Sequence, residues 1–263
     1  MTLQPGTQLR EWTLERELGR GAEGVVWAAA TAEGKRAALK IGGLKSPIFY
    51  ELTTIRRVGA HPNVCALAGG EGVDNEAKLK WFPMEMMDAP LSHLRGADAD
   101  IGAVARAMIR ALRQVHAAGF VFRDVSPNNI LTRGAGAATE YKLSDFGCAR
   151  ETAFPGMARF EGTPDYVAVG VIEGGMAPQH DLESLAYVLF WLGGGALPWA
   201  GQKIPARATK RQLAMYATER RHMSPQLEAA MDPAVRGLLR ASRGDQSDQI
   251  DYDALLGLWG DNI

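Results

Sequence analysis

Two short apolar runs near the start of the chain are separated by turn residues, as in a β-hairpin. Residues 25–30 read Val-Val-Trp-Ala-Ala-Ala and residues 36–41 read Arg-Ala-Ala-Leu-Lys-Ile, with Glu33-Gly34 between them. Apolar runs of this length, bounded by turn residues, are typical of buried strands. The pattern therefore predicts a strand–turn–strand unit over residues 25–41.

A helical pattern follows this hairpin. Ser46 and Pro47 suit the cap and the first residue of a helix over residues 47–57. Helical spacing puts three apolar residues on one face of that segment: Ile48, Leu52 and Ile55. Glu51 lies beside this face, where its carboxylate is either the ion-pair partner of a lysine or simply solvated.

The rest of the chain has the pattern of a mainly helical region. Residues 101–116 carry one apolar stripe, which predicts a helix packed on a core; its members are Ile101, Val104, Ala105, Met108, Ile109, Leu112 and Val115. Residues 130–132 and 140–143 flank a glycine-containing turn and predict a second hairpin. Residues 184–202 carry no charge, but three glycines and Pro198 interrupt them, so a buried helix explains them better than a membrane span.

Composition narrows the class of protein. The chain has 263 residues and a formal net charge of −1, which suits one enzyme domain and gives no electrostatic reason to expect nucleic acid as a partner. Two cysteines do not make a disulfide framework and indicate a reducing compartment. No signal peptide precedes Trp12 and no membrane segment is expected, so we expect an intracellular protein, cytoplasmic or nuclear or both.

The candidate chemistry begins with Asp124, Asn129 and the tripeptide Asp145-Phe146-Gly147. Phosphoryl transfer depends on positioning and charge neutralisation. Asp124 suits a base that deprotonates a hydroxyl, while Asn129 and Asp145 supply the hard oxygen ligands that Mg²⁺ prefers. Because the predicted second hairpin joins them, it is expected to bring the two metal ligands together.

A glycine run and a lysine complete this set. Gly19-x-Gly21-x-x-Gly24 precedes a strand–turn–strand pattern, which argues against a dinucleotide-binding fold, where a helix follows. Glycines at such a bend let backbone N–H groups approach phosphate, although a flexible surface hairpin is the plainer alternative. Lys40 ends the second apolar run as the candidate phosphate contact, with Glu51 as its candidate partner.

From about Trp12 to Trp259 the chain resembles the protein kinase family. Besides the residues above, the resemblance rests on Ala38-Leu39-Lys40, His61-Pro62-Asn63-Val64, Met84-Glu85-Met86-Met87 and Gly162-Thr163. It implies an α+β, bilobal protein kinase fold in one domain. The N-lobe, residues 1–83, is a small antiparallel sheet with one helix; residues 84–90 form the hinge; and residues 91–263 form a larger, mainly helical C-lobe.

The resemblance also implies ATP and Mg²⁺ as cofactors. The implied catalytic residues are Asp124, Lys40, Asn129, Ser126 and Thr163, and the implied metal ligands are Asn129 and Asp145. The implied nucleotide-binding residues are Leu18, Gly19, Gly21, Gly24, Val26, Ala38, Lys40, Glu51, Met84, Glu85, Met86, Met87, Leu131 and Asp145. In this scheme Val26, Ala38 and Leu131 sandwich adenine, Met84 is the gatekeeper, and the backbone of residues 85–87 binds the adenine edge.

A narrower resemblance is to the casein kinase 1 group, and it includes the absence of an Ala-Pro-Glu ending to the activation segment. It rests on residues 181–189, Leu197-Pro198-Trp199, Ala208-Thr209-Lys210-Arg211-Gln212 and Asp251-Tyr252-x-x-Leu255. It implies a monomeric serine/threonine kinase that acts on protein substrates and does not depend on activation-loop phosphorylation. Asp165 and Leu213 replace the group's phosphate-binding basic residues, which argues against a preference for phosphate-primed substrates.

Two departures from the kinase pattern bear on activity. Phe122 precedes Arg123 where the family usually has histidine, and Ser126 stands where the catalytic loop usually has lysine. A serine hydroxyl cannot neutralise charge on the γ-phosphate. A catalytically weak scaffold that binds nucleotide therefore remains an alternative, and a small-molecule phosphotransferase is a third, against which the casein-kinase-like block argues.

Overall fold

The computed structural model describes residues 3–96, 99–153, 161–205, 208–244 and 249–260. These residues form two compact units. The first contains the described chain up to Asp88 together with Asp145–Gly147, and the second contains the described parts of Ala89–Ser144 and of the chain from Cys148 onward.

The first unit is built on an antiparallel sheet. Its elements are β1 (Gln8–Leu9), β2 (Trp12–Arg20), β3 (Val25–Ala30), β4 (Arg36–Gly43), α1 (Ile48–Val58), β5 (Gly72–Asp74) and β6 (Leu79–Met84). The strand order is β1-β2-β3-β4-β6-β5. The strand–turn–strand prediction for residues 25–41 is confirmed, because β3 pairs with β4 from Val25↔Ile41 to Ala30↔Arg36.

Alternate strand residues form the core of this sheet. Trp12, Leu14, Trp27 and Leu39 are all almost fully buried in one cluster. At the start of β3 the backbones come very close, because a Cβ added to Gly24 would lie 2.3 Å from the carbonyl oxygen of Ile41. Only glycine permits that approach, so Gly24 is needed for the packing of β3 on β4.

Helix α1 confirms the predicted apolar face but not the predicted cap. Ile48, Leu52 and Ile55 are buried. The residue before the helix is Pro47, with no side-chain cap hydrogen bond, so the prediction that Ser46 caps the helix is wrong. The Ser46 hydroxyl instead donates to the backbone carbonyl of Glu23, 2.5 Å away, in the turn between β2 and β3.

The second unit is mainly helical. Its strands are β7 (Ala89–Pro90), β8 (Phe120–Val121), β9 (Ile130–Arg133), β10 (Glu140–Leu143) and β11 (Arg150–Glu151). Its helices are α2 (Ile101–Ala117), α3 (Val169–Ile172), α4 (Pro178–Leu192), α5 (Lys210–Arg221), α6 (Pro225–Ala229), α7 (Pro233–Ser242) and α8 (Tyr252–Gly257). The hairpin predicted over residues 130–143 is confirmed, with Ile130 opposite Leu143.

Two helices form the centre of this unit. In α2 the predicted stripe is buried from Val104 to Val115, and Asp100 caps the helix by accepting from the N–H of Ala103. Helix α4 is buried on nearly all sides, as expected of a core helix. Among the described residues, no helix has the length and apolarity needed to span a membrane.

Candidate active site

Lys40 lies at the centre of a charged group in the first unit. It pairs with Val26 on one side of β4 and with Phe82 on the other. Its ammonium forms ion pairs with Glu51 of α1 and with Oδ1 of Asp145, the latter at 2.9 Å. The Glu51 side chain is fully buried, so of the two possibilities for this residue the ion pair is present and the solvated carboxylate is wrong.

Burial and attraction act on these groups in opposite directions. Burial by itself lowers the pKa of Lys40, but attraction to Glu51 and Asp145 outweighs it, so this pKa lies above its ordinary value. Burial raises the pKa of Glu51 to about 7; Lys40 only partly offsets this, and repulsion from Asp145 adds to it. The lysine is therefore firmly charged, while its partner holds a proton more tightly than an ordinary glutamate.

Asp145 and Phe146 both contact the Lys40–Glu51 pair. Asp145 has a φ of 63°, a strained left-handed conformation for a non-glycine residue. The N–H of Phe146 donates to Oε1 of Glu51 at 3.2 Å, which fixes the chain direction just after Asp145. The Asp145 side chain is 52% exposed, so its carboxylate is accessible to a hard cation as well as to Lys40.

The glycine turn between β2 and β3 is closed by its own backbone. The N–H of Gly21 donates to the carbonyl of Gly24 at 2.9 Å. Side chains added at Gly19 or Gly21 would meet no atom of the described residues within 4 Å, in contrast to Gly24. Leu18, at the end of β2, is 36% exposed. Because Gly19 and Gly21 have no side chains, a ligand can approach the backbone here, as a phosphate-binding turn requires.

The residues expected around adenine fall in both units. In the first unit Ala38 lies opposite Met84 in the sheet, and both are buried. Glu85 donates its N–H to the carbonyl of Ala66 at 2.9 Å, so this donor is not available to a base. Met87 makes no backbone hydrogen bond within the described residues, which makes its N–H the better donor of this segment. Leu131 lies half-buried on β9 of the second unit.

Hydrogen bonds hold both carboxylate oxygens of Asp124 in the second unit. Its Oδ1 accepts from both the N–H and the hydroxyl of Thr163, each at 2.7 Å. Its Oδ2 accepts from the side-chain amide of Asn129 at 2.8 Å, and the same amide nitrogen donates to the Asp124 carbonyl at 2.9 Å. The Asn129 nitrogen is thus committed to Asp124, and its amide oxygen is the atom suited to a metal ion.

The hairpin that follows Asn129 returns the chain to it. The carbonyl of Asn129 accepts from the N–H of Ser144 at 2.8 Å, and Ser144 immediately precedes Asp145. No group of three or more histidine, cysteine, aspartate or glutamate side chains suited to a metal occurs in the described part of the chain. A site for Mg²⁺ needs fewer protein ligands than this, because the ion keeps several waters and contacts phosphate oxygens.

Gly162, directly before Thr163, lies close to the backbone that precedes Asp124. It has a φ of +111°, and a Cβ there would lie 2.7 Å from the carbonyl oxygen of Arg123. Both the backbone conformation and the close approach require glycine. The Gly162-Thr163 pair therefore fixes the segment beside Asp124 through its backbone as well as through the threonine hydroxyl.

Ser126 does not join this network. Its side chain is 1% exposed, and its hydroxyl has no hydrogen-bond partner among the described residues. The hydroxyl therefore makes no hydrogen bond to the group of Asp124, Asn129 and Thr163. Position 126 supplies neither a charge nor a hydrogen bond to Asp124.

Two arginines converge on one carboxylate just before Gly162. Arg123 and Arg150 donate to the same oxygen of Glu161, Oε2, at 3.0 and 2.9 Å. The Arg123 side chain is 1% exposed, so its guanidinium needs this counter-charge. The sequence did not predict a role for Glu161, although the residue lies directly before the Gly162-Thr163 pair.

Asp165 and Leu213, which stand where the casein kinase 1 group has its phosphate-binding basic residues, make contacts within the second unit. Asp165 accepts from the N–H of Gly201 at 2.9 Å, and Leu213 packs against the apolar cluster around α3. Arg211 is exposed, and Arg159, a further basic residue of this region, lies outside the described residues. The patch is thus occupied by an acid and an apolar side chain.

Arg220 does not lie on a solvated helix face, which is the usual place of a basic pair such as Arg220-Arg221. Arg220 is fully buried and donates to the carbonyls of Pro164 at 2.6 Å and Val167 at 3.4 Å. Its guanidinium also lies over the Trp199 ring, 5.3 Å from the centroid. It holds the backbone just beyond Thr163, a role that the basic pair in the sequence does not indicate.

Comparisons with known proteins identify the family to which the chain is similar. A family profile described as "Protein kinase domain" matches residues 12–243. The chain is 31% identical over 225 residues to the serine/threonine-protein kinase PkaA of Streptomyces coelicolor, covering 73% of this chain and 40% of that protein. It is also 31% identical over 225 residues to the serine/threonine-protein kinase Pkn1 of Myxococcus xanthus, covering 79% and 32%.

A human protein is similar at a slightly lower level. The chain is 28% identical over 207 residues to the serine/threonine-protein kinase PAK 4 of Homo sapiens, covering 74% of this chain and 34% of that protein. The matched region spans between about a third and two fifths of the length of these relatives.

Proposed function

This chain belongs to the protein kinase family, and we propose that it is a serine/threonine protein kinase that uses Mg²⁺-ATP. The observation that carries the proposal is the Asp124 carboxylate, held on both oxygens by hydrogen bonds from Thr163 and Asn129. A carboxylate fixed in this way is ready to orient a substrate hydroxyl and accept its proton.

Other residues are proposed to bind the nucleotide phosphates and the metal ion. Lys40, kept charged and fixed by Glu51, contacts the nucleotide phosphates. Gly19 at the end of β2 and Gly21 in the following turn leave room for these phosphates, because neither has a side chain. Asp145 and the amide oxygen of Asn129 are the proposed ligands of Mg²⁺. When bound, the ion neutralises charge that develops on the phosphate oxygens.

We propose the lobe boundaries that the sequence predicts, with residues 1–83 as N-lobe, residues 84–90 as hinge and residues 91–263 as C-lobe. Within the hinge, the carbonyl of Glu85 and the N–H of Met87 are the proposed contacts to adenine. The Glu85 donor is excluded, because Ala66 already accepts from it.

We propose a casein-kinase-1-like, monomeric enzyme that acts on protein substrates without a requirement for a phosphate-primed site. We infer that the chain has no binding site for a phosphate already present on the substrate, because Asp165 and Leu213 carry no positive charge. Independence from activation-segment phosphorylation is supported by Glu161, which already supplies Arg123 and Arg150 with a carboxylate.

Labelled ATP tests the proposal directly. Purified protein should transfer label to casein or to peptides of an array in the presence of Mg²⁺ and not after its chelation. Paired peptides with and without a priming phosphate should differ by less than about tenfold in kcat/KM, since a charge-assisted phosphate contact is worth at least that much.

The same assay separates the proposal from a scaffold role. Ser126 favours that second candidate, because position 126 adds no positive charge for the transferred phosphate. Mg²⁺-dependent nucleotide binding with no label transfer to any peptide would favour the scaffold over the enzyme.

A further inference from the structure

A buried carboxylate in α4 holds the backbone that leads into Asp124. Asp181 is 1% exposed and accepts from the N–H of Phe122 through Oδ2 and from the N–H of Arg123 through Oδ1, both at 2.7 Å. Its Oδ2 also lies 2.7 Å from Nε2 of His116 in α2. Two consecutive backbone N–H groups and the His116 imidazole thus all contact the Asp181 carboxylate.

The Asp181 contact decides which nitrogen of His116 carries its proton. A carboxylate that accepts from two N–H groups offers lone pairs to the imidazole, so Nε2 donates and Nδ1 of the neutral ring is an acceptor. The hydroxyl of Tyr252, the first residue of α8, is hydrogen-bonded to that Nδ1. Burial, with repulsion from Asp181, raises the pKa of Tyr252 above its ordinary value, so the hydroxyl stays protonated and able to donate.

The backbone held at the other end of this chain of hydrogen bonds is strained. Arg123 has a φ of 73°, which is uncommon for a residue with a side chain and persists only where the surroundings enforce it. The residue that follows is Asp124, whose carboxylate direction depends on the Arg123 backbone. The contact from Asp181 to the Arg123 N–H is therefore a restraint on the proposed base.

We propose that Tyr252 is a positioning residue for the catalytic loop, acting through His116 and Asp181 on the backbone of Phe122 and Arg123. Its hydroxyl fixes the imidazole form that donates to Asp181, and Asp181 in turn keeps Asp124 in the direction needed to accept a proton. A residue 128 positions beyond the base thus influences turnover without touching substrate or nucleotide. The turnover part of this proposal rests on the proposed kinase activity.

Helix α8 has other contacts that keep it in place when the hydroxyl is removed. Arg113 of α2 forms an exposed ion pair with Asp253 at 2.6 Å, and Arg106 donates to the carbonyl of Trp259 at 3.0 Å. Tyr252→Phe therefore removes one hydroxyl and leaves the docking of the helix. Asp253→Asn is the matched control, because it weakens the same helix contact one residue away without touching the chain of hydrogen bonds.

The first measurement is steady-state kinetics of the parent, Tyr252→Phe and Asp253→Asn with a peptide substrate. We expect Tyr252→Phe to lower kcat about tenfold, with KM for ATP within about twofold of the parent, and Asp253→Asn to leave both constants near the parent values. Equal losses in the two variants, or a kcat of Tyr252→Phe within about twofold of the parent, would overturn the proposal.

The second measurement does not depend on activity. The ¹⁵N shifts of His116 should report a protonated Nε2 in the parent and a changed proton distribution in Tyr252→Phe, and amides of residues 120–124 should exchange faster in that variant. Unchanged ring shifts and unchanged exchange would overturn the proposal even in an active enzyme. If the parent transfers no phosphate while these two signals change as expected, the kinase proposal fails and the positioning contact stands.

Discussion

The two groups of polar residues proposed to carry the reaction are stabilised in opposite ways. The Lys40 group consists of Lys40, Glu51 and Asp145, and it is a set of full charges of which two are almost completely buried. The Asp124 group consists of Asp124, Asn129 and Thr163, and it holds one charge with neutral donors. The first group is ordered by attraction between ions, and the second by the direction of hydrogen bonds.

This difference separates effects on stability from effects on turnover. Removing one member of a buried ion pair leaves the other charged and desolvated, which costs roughly 3–5 kcal/mol. Replacing a carboxylate that is held by neutral donors costs about one hydrogen bond, on the order of 1 kcal/mol. Substitutions in the Lys40 group should therefore change stability and activity together, whereas substitutions in the Asp124 group should change activity with little loss of stability.

The largest expected effect is on turnover in Asp124→Asn. The amide still accepts from Thr163 but cannot take a proton from a substrate hydroxyl, so kcat should fall by about 10²–10⁴-fold. Label transfer gives the rate, and calorimetric titration of nucleotide into the same protein is the control, since affinity should be retained. Turnover within about twofold of the parent would rule out Asp124 as the base.

The next effect is an altered pH dependence of stability in Glu51→Gln. The amide keeps the shape of the protonated carboxyl but cannot titrate, so the free energy of unfolding should no longer depend on the ionisation of this group. In the parent, the folded state holds the Glu51 proton more tightly than the unfolded chain, because the pKa is raised from 4.5 to about 7. The contribution of this group is complete below pH 4.5 and is lost as the pH rises through about 7.

Urea titrations between these pH values check that prediction. The parent should have a component of its stability that falls with rising pH, and Glu51→Gln should lack this component. The same pH dependence in both proteins would mean that another group titrates and that Glu51 is not the residue responsible.

A smaller effect is expected from Glu161→Gln. The carboxylate that Arg123 and Arg150 share is lost, which should loosen the segment that presents Thr163 to Asp124 and lower kcat about tenfold. Glu173→Gln is the matched control, because Glu173 pairs with Arg221 at the exposed surface of the same unit. A drop of the same size in the control would show that any lost ion pair has this effect.

Effects of the same size or smaller are expected at position 126, where substitutions can separate the effect of side-chain length from that of charge. Ser126→Lys adds an ammonium that meets phosphate only where charge develops, so kcat should rise about tenfold with little change in ATP affinity. Ser126→Met adds comparable length without charge and should not increase the rate. Ser126→Ala should stay within about twofold of the parent, because the hydroxyl has no partner among the described residues. A gain in the methionine variant equal to that in the lysine variant would refute the charge argument.

Local patterns predicted most of the elements, because they depend on the chain alone. The apolar stripe of α2 and the two hairpins follow from spacing, and the Lys40 and Asp124 groups contain residues that the motifs identified. The errors concern residues whose partners are distant in sequence. Ser46 has a serine's usual capping chemistry but bonds to Glu23, and Arg220 is buried by carbonyls more than fifty positions away.

Glu161 and Tyr252 illustrate the same limit in the site itself. Glu161 belongs to no motif identified in the sequence, and Tyr252 belongs to the Asp251-Tyr252-x-x-Leu255 pattern, which indicates no role for its hydroxyl. Each residue gains its role from side chains that folding brings near: Arg123 and Arg150 for Glu161, and His116 for Tyr252. A single sequence contains no record of such partners. Their roles follow only from distances in the folded chain.

The division of the chain between its two units also bears on the order in which the protein is made. The chain leaves the first unit after Asp88, returns for Asp145–Gly147 and leaves again. When the first 88 residues have left the ribosome, Lys40 and Glu51 have been made. Asp145, the second carboxylate that pairs with Lys40, and Phe146, whose N–H donates to Glu51, have not. The charged group can therefore be completed only after β7 to β10 have been synthesised, so a polypeptide that ends before residue 145 contains Lys40 without its full set of partners.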